Sequence, residues 1–268
     1  MGLNELAKSM TVADWTRFIL NSADETLADA RAPKLPAADI QKLTNNTHGL
    51  VSLKGAGTMY VLVARVVGNR LGANADLRIL DFGCGWGRFA RFFPQLTAEE
   101  NIFGVDVDDR LIRACEECLP RMNFCVIEPR KPMPFADGQF DVVFCNSVFS
   151  HLNEPAQRFC IDEIGRCTKA GGLLIATTMG PRNLKRMYEF QEKWLTDVLG
   201  PRDAAEKHLN AGKFLFGTTN RWPDYGLAFV PDNWTRDNWS PLFEIADVDT
   251  SLSEDVNIAV KTAARGDR

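Results

Sequence analysis

From Leu77 onward the apolar residues come in short continuous runs separated by longer stretches of mixed polarity. The runs are Arg78–Phe82, Asn101–Val107, Phe124–Ile127, Phe140–Cys145 and Gly172–Thr177. Runs of this length bounded by polar and glycine-rich segments predict strands covered on both faces. Between them, apolar positions recurring at helical spacing predict helices over Arg88–Phe93, Asp109–Cys118 and Glu154–Cys167. Strands separated by helix-length connections need crossovers, so the pattern predicts a doubly wound, mostly parallel α/β sheet of Rossmann-like type. Phe243–Val248 and Val256–Val260 follow as two further strands across a short polar turn, which suits antiparallel pairing.

The stretches on either side read differently. Val12, Trp15, Phe18, Ile19 and Leu27 lie close to a helical repeat over residues 11–30, ended by Pro33 and Pro36. A second helix is expected from about Gly55 to Leu71, with Gly72, Ala73 and Asn74 breaking it. The chain therefore reads as one domain with four parts: a helical cap over 1–75, a core over 76–180, an insertion over 181–240 and closing strands over 241–264. Within the insertion, Lys185–Leu199 has helical spacing, and residues 210–240 hold Phe214, Phe216, Trp222, Tyr225, Trp234 and Trp239. These aromatics form either a satellite core or a lid that walls a pocket, with Trp222 and Tyr225 as candidate substrate contacts. Arg265 to Arg268 read as a loose tail.

Composition narrows the function classes. A net charge of −4 and pI near 5.5 argue against a broad surface for nucleic acid or anionic membrane. No apolar run is read as a membrane span, and the N-terminus lacks the layout of a signal peptide, so the expected location is the cytoplasm. Seven scattered cysteines suit a reducing compartment. Cys115 and Cys118 form a C-x-x-C pair late in an expected helix, away from the helix N-terminus that favours a redox thiolate. Three histidines argue against a histidine-rich metal centre, and no metal is expected.

The chemistry centres on Ile79-Leu-Asp81-Phe82-Gly83-Cys84-Gly85-Trp-Gly87-Arg88, a strand running into alternate glycines. Such glycines let the backbone turn sharply and approach a ligand closely. The dinucleotide fingerprint G-x-G-x-x-G wants glycine or alanine where Arg88 stands. Asp106 ends the next strand about 20 residues on, where a carboxylate can accept from ribose hydroxyls; Asp108 or Asp109 remains to cap the following helix. A cation in the first turn of a helix opposes the macrodipole, so Arg88 implies either an anionic ligand group or a partner such as Asp81.

This stretch resembles motif I of the class I S-adenosylmethionine-dependent methyltransferases. Gly104-Val-Asp106-Val-Asp108 is similar to their second-strand acid, and Pro132–Val143 to the approach to their fourth strand. Asn146-Ser-Val-Phe-Ser-His-Leu152 and Glu163–Ile175 follow in the family's order. The resemblance covers about Leu77 to Thr178 and implies S-adenosylmethionine as cofactor. It places Asp81, Phe82, Gly83, Cys84 and Gly85 on the methionine and ribose side, and Asp106 and Val107 at the ribose and adenine. It places Asn146 and Ser147 at the sulfonium end. Where the family often has an adenine-contacting Asp, this chain has Val126-Ile-Glu128-Pro, so Glu128 or backbone serves.

The implied activity is methyl transfer to a small-molecule acceptor, a hydroxyl of sugar or secondary-metabolite type. A hydroxyl acceptor needs a base, and His151, just past the fourth strand, is the candidate. A histidine packed on a ring or capping a helix is the competing reading. A protein or peptide methyltransferase, a non-catalytic cofactor-binding module and a nicotinamide oxidoreductase stand as alternatives. The sequence carries no signal for oligomeric state.

Overall fold

The computed structural model describes residues 2–72, 76–218, 222–240 and 242–263. The break expected at Ala73 and Asn74 and the tail from Arg265 to Arg268 lie outside these. The strands are β1 (Ile79–Phe82), β2 (Ile102–Asp106), β3 (Asn123–Val126), β4 (Phe140–Cys145), β5 (Thr168–Thr178), β6 (Leu215–Thr218), β7 (Gly226–Phe229), β8 (Phe243–Asp249) and β9 (Asp255–Lys261). Seven share one sheet in the order β3-β2-β1-β4-β5-β9-β8, and β6 and β7 make a separate antiparallel hairpin. β1, β2 and β3 pair in parallel, while β9 runs antiparallel to both β5 and β8. This is the expected Rossmann-like sheet with its antiparallel closing pair.

The chain divides into two compact units, residues 1–131 with 140–142, and residues 132–139 with 143–268. In the first, α1 (Leu3–Ser9), α2 (Val12–Asn21), α3 (Ala38–Asn45) and α4 (Gly49–Leu71) precede β1, and α5 (Asp109–Cys118) joins β2 to β3. The leader is bound to the sheet region by specific groups. Fully buried Trp15 donates from Nε1 to the Phe92 carbonyl at 2.7 Å, and the Tyr60 hydroxyl donates to Gln95 Oε1 at 2.6 Å. α4 departs from the sequence reading, which saw no apolar run of spanning length. Its most apolar window has a mean hydropathy of 1.4, enough by length and composition for a membrane span, yet 61% of that window is buried within the protein. Leu53, Ala56, Tyr60, Val63 and Val67 supply that burial, as in the core helix of a globular unit.

A second difference follows the glycine loop. In place of an α-helix over Arg88–Phe93 there is a short 3-10 helix, Ala90–Gln95, with Pro94 inside it. Proline has no N–H and its ring collides with the carbonyl four residues back, so the α-helical ladder cannot run through this turn.

The second unit contains α6 (Glu154–Cys167), α7 (Pro181–Leu199), α8 (Arg202–Asn210) and α9 (Trp234–Trp239). Met179, Leu184, Tyr188, Leu195, Leu209, Leu227 and Phe229 form a core shared by α7, α8 and the β6–β7 hairpin. Most of the insertion over 181–240 thus has its own hydrophobic centre. Trp234 and Trp239 are buried, whereas Trp222 and Tyr225 are exposed.

Trp15→Ala tests whether the leader is integral to the first unit. The variant should lose about 3–5 kcal/mol in urea unfolding, the usual cost of deleting a buried tryptophan; a loss below about 1 kcal/mol would make the leader a loosely attached segment.

Candidate functional site

Each unit carries a cluster of polar groups at strand ends, and each is built from different chemistry. In the first unit the loop after β1 folds back on β2. The N–H groups of Gly83 and Cys84 both donate to the Val105 carbonyl, at 2.8 and 2.9 Å. Gly85 N–H donates to Asp106 Oδ2 at 2.9 Å and Asp108 N–H to Asp106 Oδ1 at 3.0 Å. The Asp106 carboxylate therefore ties the loop to the end of β2 while each oxygen keeps lone-pair capacity for further donors. Burial raises its pKa, and the N–H groups of Asp108, Gly85 and Val107 oppose that rise. Asp108 caps α5 by accepting from Arg110 N–H, so Asp106 is indeed spared that task.

The glycines are required by both conformation and space. Gly85 and Gly87 have φ of 55° and 74°. A Cβ on Gly85 would lie 2.8 Å from Thr44 Cγ2 of α3, and one on Gly87 would lie 2.6 Å from Leu119 Cδ1. On the inner side of the loop, Cys84 and Cys115 are both buried, and both thiols donate to the Gly85 carbonyl, at 3.6 and 3.2 Å. Burial holds the Cys84 thiol well above its ordinary pKa, with Cys115 adding to the effect, so the Cys84 sulfur acts as a neutral packing group.

Asp81 is 1% exposed and its Oδ2 has no hydrogen-bond partner. Burial pushes its carboxyl up to about 7; the Arg88 charge pulls it down, Asp106 pushes it up, and Ala90 N–H pulls it down. An orphaned carboxylate oxygen beside a glycine cradle is a place for a cationic donor. The ammonium of the methionine part of S-adenosylmethionine has that chemistry, and Asp106 offers acceptors for ribose hydroxyls. These residues fit the cofactor that the resemblance implies.

Arg88 does not begin an α-helix, so the macrodipole argument for an anionic ligand loses its basis. Its guanidinium lies 4.6 Å from the centre of the Phe89 ring, and its charge acts on Asp81. Phe82 is buried in β1 and Val107 is 57% exposed, an apolar surface for a base to lie on. Glu128 is exposed and pairs with Lys131.

In the second unit, the segment after β4 runs alongside the start of β7. Leu152 and Tyr225 form an antiparallel bridge, and Ser150 O accepts from Ala228 N–H at 2.9 Å. His151 is held from two sides. Its Nδ1 lies 2.8 Å from the Gly226 carbonyl and its ring stacks on Tyr225 at 5.0 Å and 15°. A carbonyl only accepts, so Nδ1 carries a proton, and in the neutral ring the lone pair falls to Nε2. The histidine thus packs on a ring, as the competing reading had it, in the tautomer that a base requires.

Asn146 and Ser147 end up in a polar knot. Ser147 has φ of 54°, unusual for a non-glycine residue. Its N–H donates to Thr177 Oγ1 at 2.7 Å, and its hydroxyl donates to Glu254 Oε1 at 2.9 Å while accepting from Asn146 Nδ2 at 3.1 Å. Ser150 also donates to Glu254 Oε1, at 3.1 Å. Glu254, in the turn before β9, was absent from the sequence reading. The nearest signal was its acidic side chain beside Asp255, at the start of a closing strand.

Comparison with known proteins agrees with this layout. Residues 80–176 match the protein family described as a methyltransferase domain. The chain is 32% identical over 143 residues to a malonyl-[acyl-carrier protein] O-methyltransferase of Legionella pneumophila, covering 53% of this chain and 46% of that protein. It is 33% identical over 105 residues to an uncharacterized methyltransferase of Schizosaccharomyces pombe, covering 35% and 37%. The chain thus spans less than half the length of these curated relatives. In fold it is similar to an S-adenosylmethionine-dependent methyltransferase from Methanosarcina mazei, with a TM-score of 0.51 at 18% identity over 74% of this chain and 97% of that one.

Asp81 supplies a pH test. Its raised pKa means that the folded, ligand-free protein keeps a proton that the unfolded chain has lost above about pH 4. Its contribution to stability is present below that pH and fades as pH rises through about 7. Binding an ammonium instead needs the ionised form. Affinity for S-adenosylhomocysteine should therefore rise between about pH 6 and 8 in the wild type, and stay lower and flatter in Asp81→Asn. Titration calorimetry across that range checks it; parallel profiles for the two proteins would remove Asp81 from cofactor binding.

Proposed function

We propose that this chain, which belongs to the class I S-adenosylmethionine-dependent methyltransferases and takes S-adenosylmethionine as its cofactor, methylates a hydroxyl oxygen of a small-molecule acceptor. The cofactor supplies a methyl group already activated on a sulfonium. The protein's residues then have three tasks: to hold the donor, to hold the acceptor oxygen in line, and to take its proton. Asp81, the loop Gly83–Gly85 and Asp106 are assigned to the donor.

The observation that carries the hydroxyl assignment is His151. Its Nδ1–H is committed to the Gly226 carbonyl and its ring is clamped by Tyr225, which leaves Nε2 as a fixed proton acceptor. An amine or thiolate acceptor has less need of such a group. The name of the Legionella relative, a malonyl-[acyl-carrier protein] O-methyltransferase, supports oxygen as the methylated atom without distinguishing a hydroxyl from a carboxyl. Tyr225 and Trp222, exposed in the same segment, offer aromatic surface for a sugar ring or a phenol. The absence of a broad basic surface in the composition favours a small acceptor over nucleic acid.

Two measurements test this reading in sequence. In differential thermal shift, S-adenosylhomocysteine and S-adenosylmethionine should stabilise the protein by about 2–3 kcal/mol at 100-fold excess over Kd, while NAD and NADP do nothing. Stabilisation by NAD instead would revive the oxidoreductase alternative. His151→Ala should then keep cofactor affinity and lose about 10²- to 10⁴-fold in kcat with a hydroxyl acceptor. Turnover within a few-fold of wild type would take His151 out of the reaction.

A further inference from the structure

We infer that Glu254 is the acceptor-binding carboxylate of this enzyme, selecting acceptors that present a hydroxyl or amino hydrogen and rejecting acceptors that present a carboxylate. This rests on the methyltransferase reading above.

Three observations within the second unit lead to it. The first is placement. In the pairing of β5 with β9, Thr178 lies opposite Asp255, so Glu254 stands beside the carboxyl end of β5, the edge at which open α/β sheets bind ligands. The turn carrying it is fastened by α7: Asn183 Nδ2 donates to the Ser253 carbonyl at 2.6 Å, and Arg182 donates to the Leu252 carbonyl and to Asp255 at 3.3 and 2.6 Å. Glu254 is thus presented by a braced turn.

The second is saturation of its neighbours. Ser147 has committed its N–H to Thr177 and its hydroxyl hydrogen to Glu254. Ser150 has likewise spent its hydroxyl hydrogen on Glu254. Neither hydroxyl has a hydrogen left for a ligand, and both point their hydrogens at one oxygen of one carboxylate.

The third is the oxygen left over. Glu254 Oε1 receives both serines, whereas Oε2 is buried with no hydrogen-bond partner. A shielded carboxylate oxygen in this condition lacks a donor, and the cost of leaving it so is removed when a ligand brings one. With Asp81 assigned to the cofactor's ammonium, the donor that remains is the acceptor's own O–H or N–H. A carboxylate acceptor would place a second negative charge there with no hydrogen to share, which a site built this way rejects strongly.

Glu254→Gln separates the possibilities, because the amide keeps an oxygen for the two serines and puts an N–H₂ where Oε2 was. Wild type and variant are compared with labelled S-adenosylmethionine on sugars, phenols and amino alcohols, and on dicarboxylic acids and their thioesters. S-adenosylhomocysteine affinity and melting temperature are measured alongside. The expected result is an unchanged affinity and melting temperature with a rise of about 10- to 100-fold in KM for the hydroxyl or amino acceptors. Transfer to acids, weak in the wild type, should rise in the variant. Glu254→Asp, which withdraws the carboxylate by one methylene, should show the KM effect without the gain on acids. An unchanged acceptor KM in Glu254→Gln, or a wild type that prefers acids, overturns the inference while leaving the methyltransferase reading standing. A wild type that fails to bind S-adenosylhomocysteine would remove that reading, and this inference with it.

Discussion

The bonds from Gly85 N–H and Asp108 N–H to the two oxygens of Asp106 are the constraint on which the first unit's chemistry depends. They fasten a loop with the left-handed glycines Gly83, Gly85 and Gly87 to the tip of β2. Glycines lose more backbone entropy on folding than other residues, so something must hold such a loop. A carboxylate does this with two charge-assisted bonds and still has lone pairs to offer. Replacing Asp106 with an apolar residue would therefore affect the loop's shape as well as any ribose contact. The loop's inner lining follows from the same requirement. With the backbone turned so sharply, the Gly85 carbonyl points inward, and two buried thiols are its donors.

That inward-facing arrangement explains the helical leader. A glycine loop has no side chains of its own to cover it, so cover has to come from elsewhere. Thr44 of α3 lies where a Gly85 Cβ would be, and fully buried Arg91 extends from beneath the loop to the Lys34 carbonyl while bonding Gly87 O at 3.1 Å. Burial lowers the Arg91 pKa to about 10, so it remains a cation, stacked 4.7 Å from the centre of the Trp86 ring. Leader and loop are in this way parts of one packing problem.

What could be read from the sequence divides along the range of the interactions involved. β4, α5 and α6 are legible to the residue, because each is set by its own periodicity and by an adjacent cap, Asp108 for α5 and Asn153 for α6. The antiparallel closing pair is legible for the same reason. α3 was not, since Ile40 and Leu43 are its only large apolar residues and Leu43 is exposed; its helix is justified by what Thr44 touches. The β6–β7 hairpin was hidden among aromatics whose pairing depends on a core shared with α7 and α8. The short 3-10 turn was readable in principle from Pro94, but the apolar spacing around it outweighed that signal. Of the site, Asp81, the glycines and Asp106 form a local, ordered motif. Glu254 belongs to none: its serine partners are 107 and 104 residues away, and nothing in a polar turn announces them.

Asp81 Oδ2 and Glu254 Oε2 are alike in being buried carboxylate oxygens without donors, one in each unit. A protein at rest gains nothing from such atoms; each costs the desolvation of a polar group with no bond in return. A stability argument alone would have replaced both with amides or apolar residues. Their companions point to the alternative. Asp81 stands at the start of the glycine loop that Asp106 holds, and Glu254 has drawn two hydroxyls onto one oxygen so that the other is left alone. In the proposed reading both are half of a bond whose other half arrives with a ligand. The ligands must differ in kind. The cofactor's charge is fixed and positive, which suits a carboxyl able to ionise on demand near neutral pH. An acceptor that must surrender a proton needs a group that orients its hydrogen, and a separate one that takes it. In the proposed reaction Glu254 and His151 would divide those two tasks between a braced turn and a clamped ring.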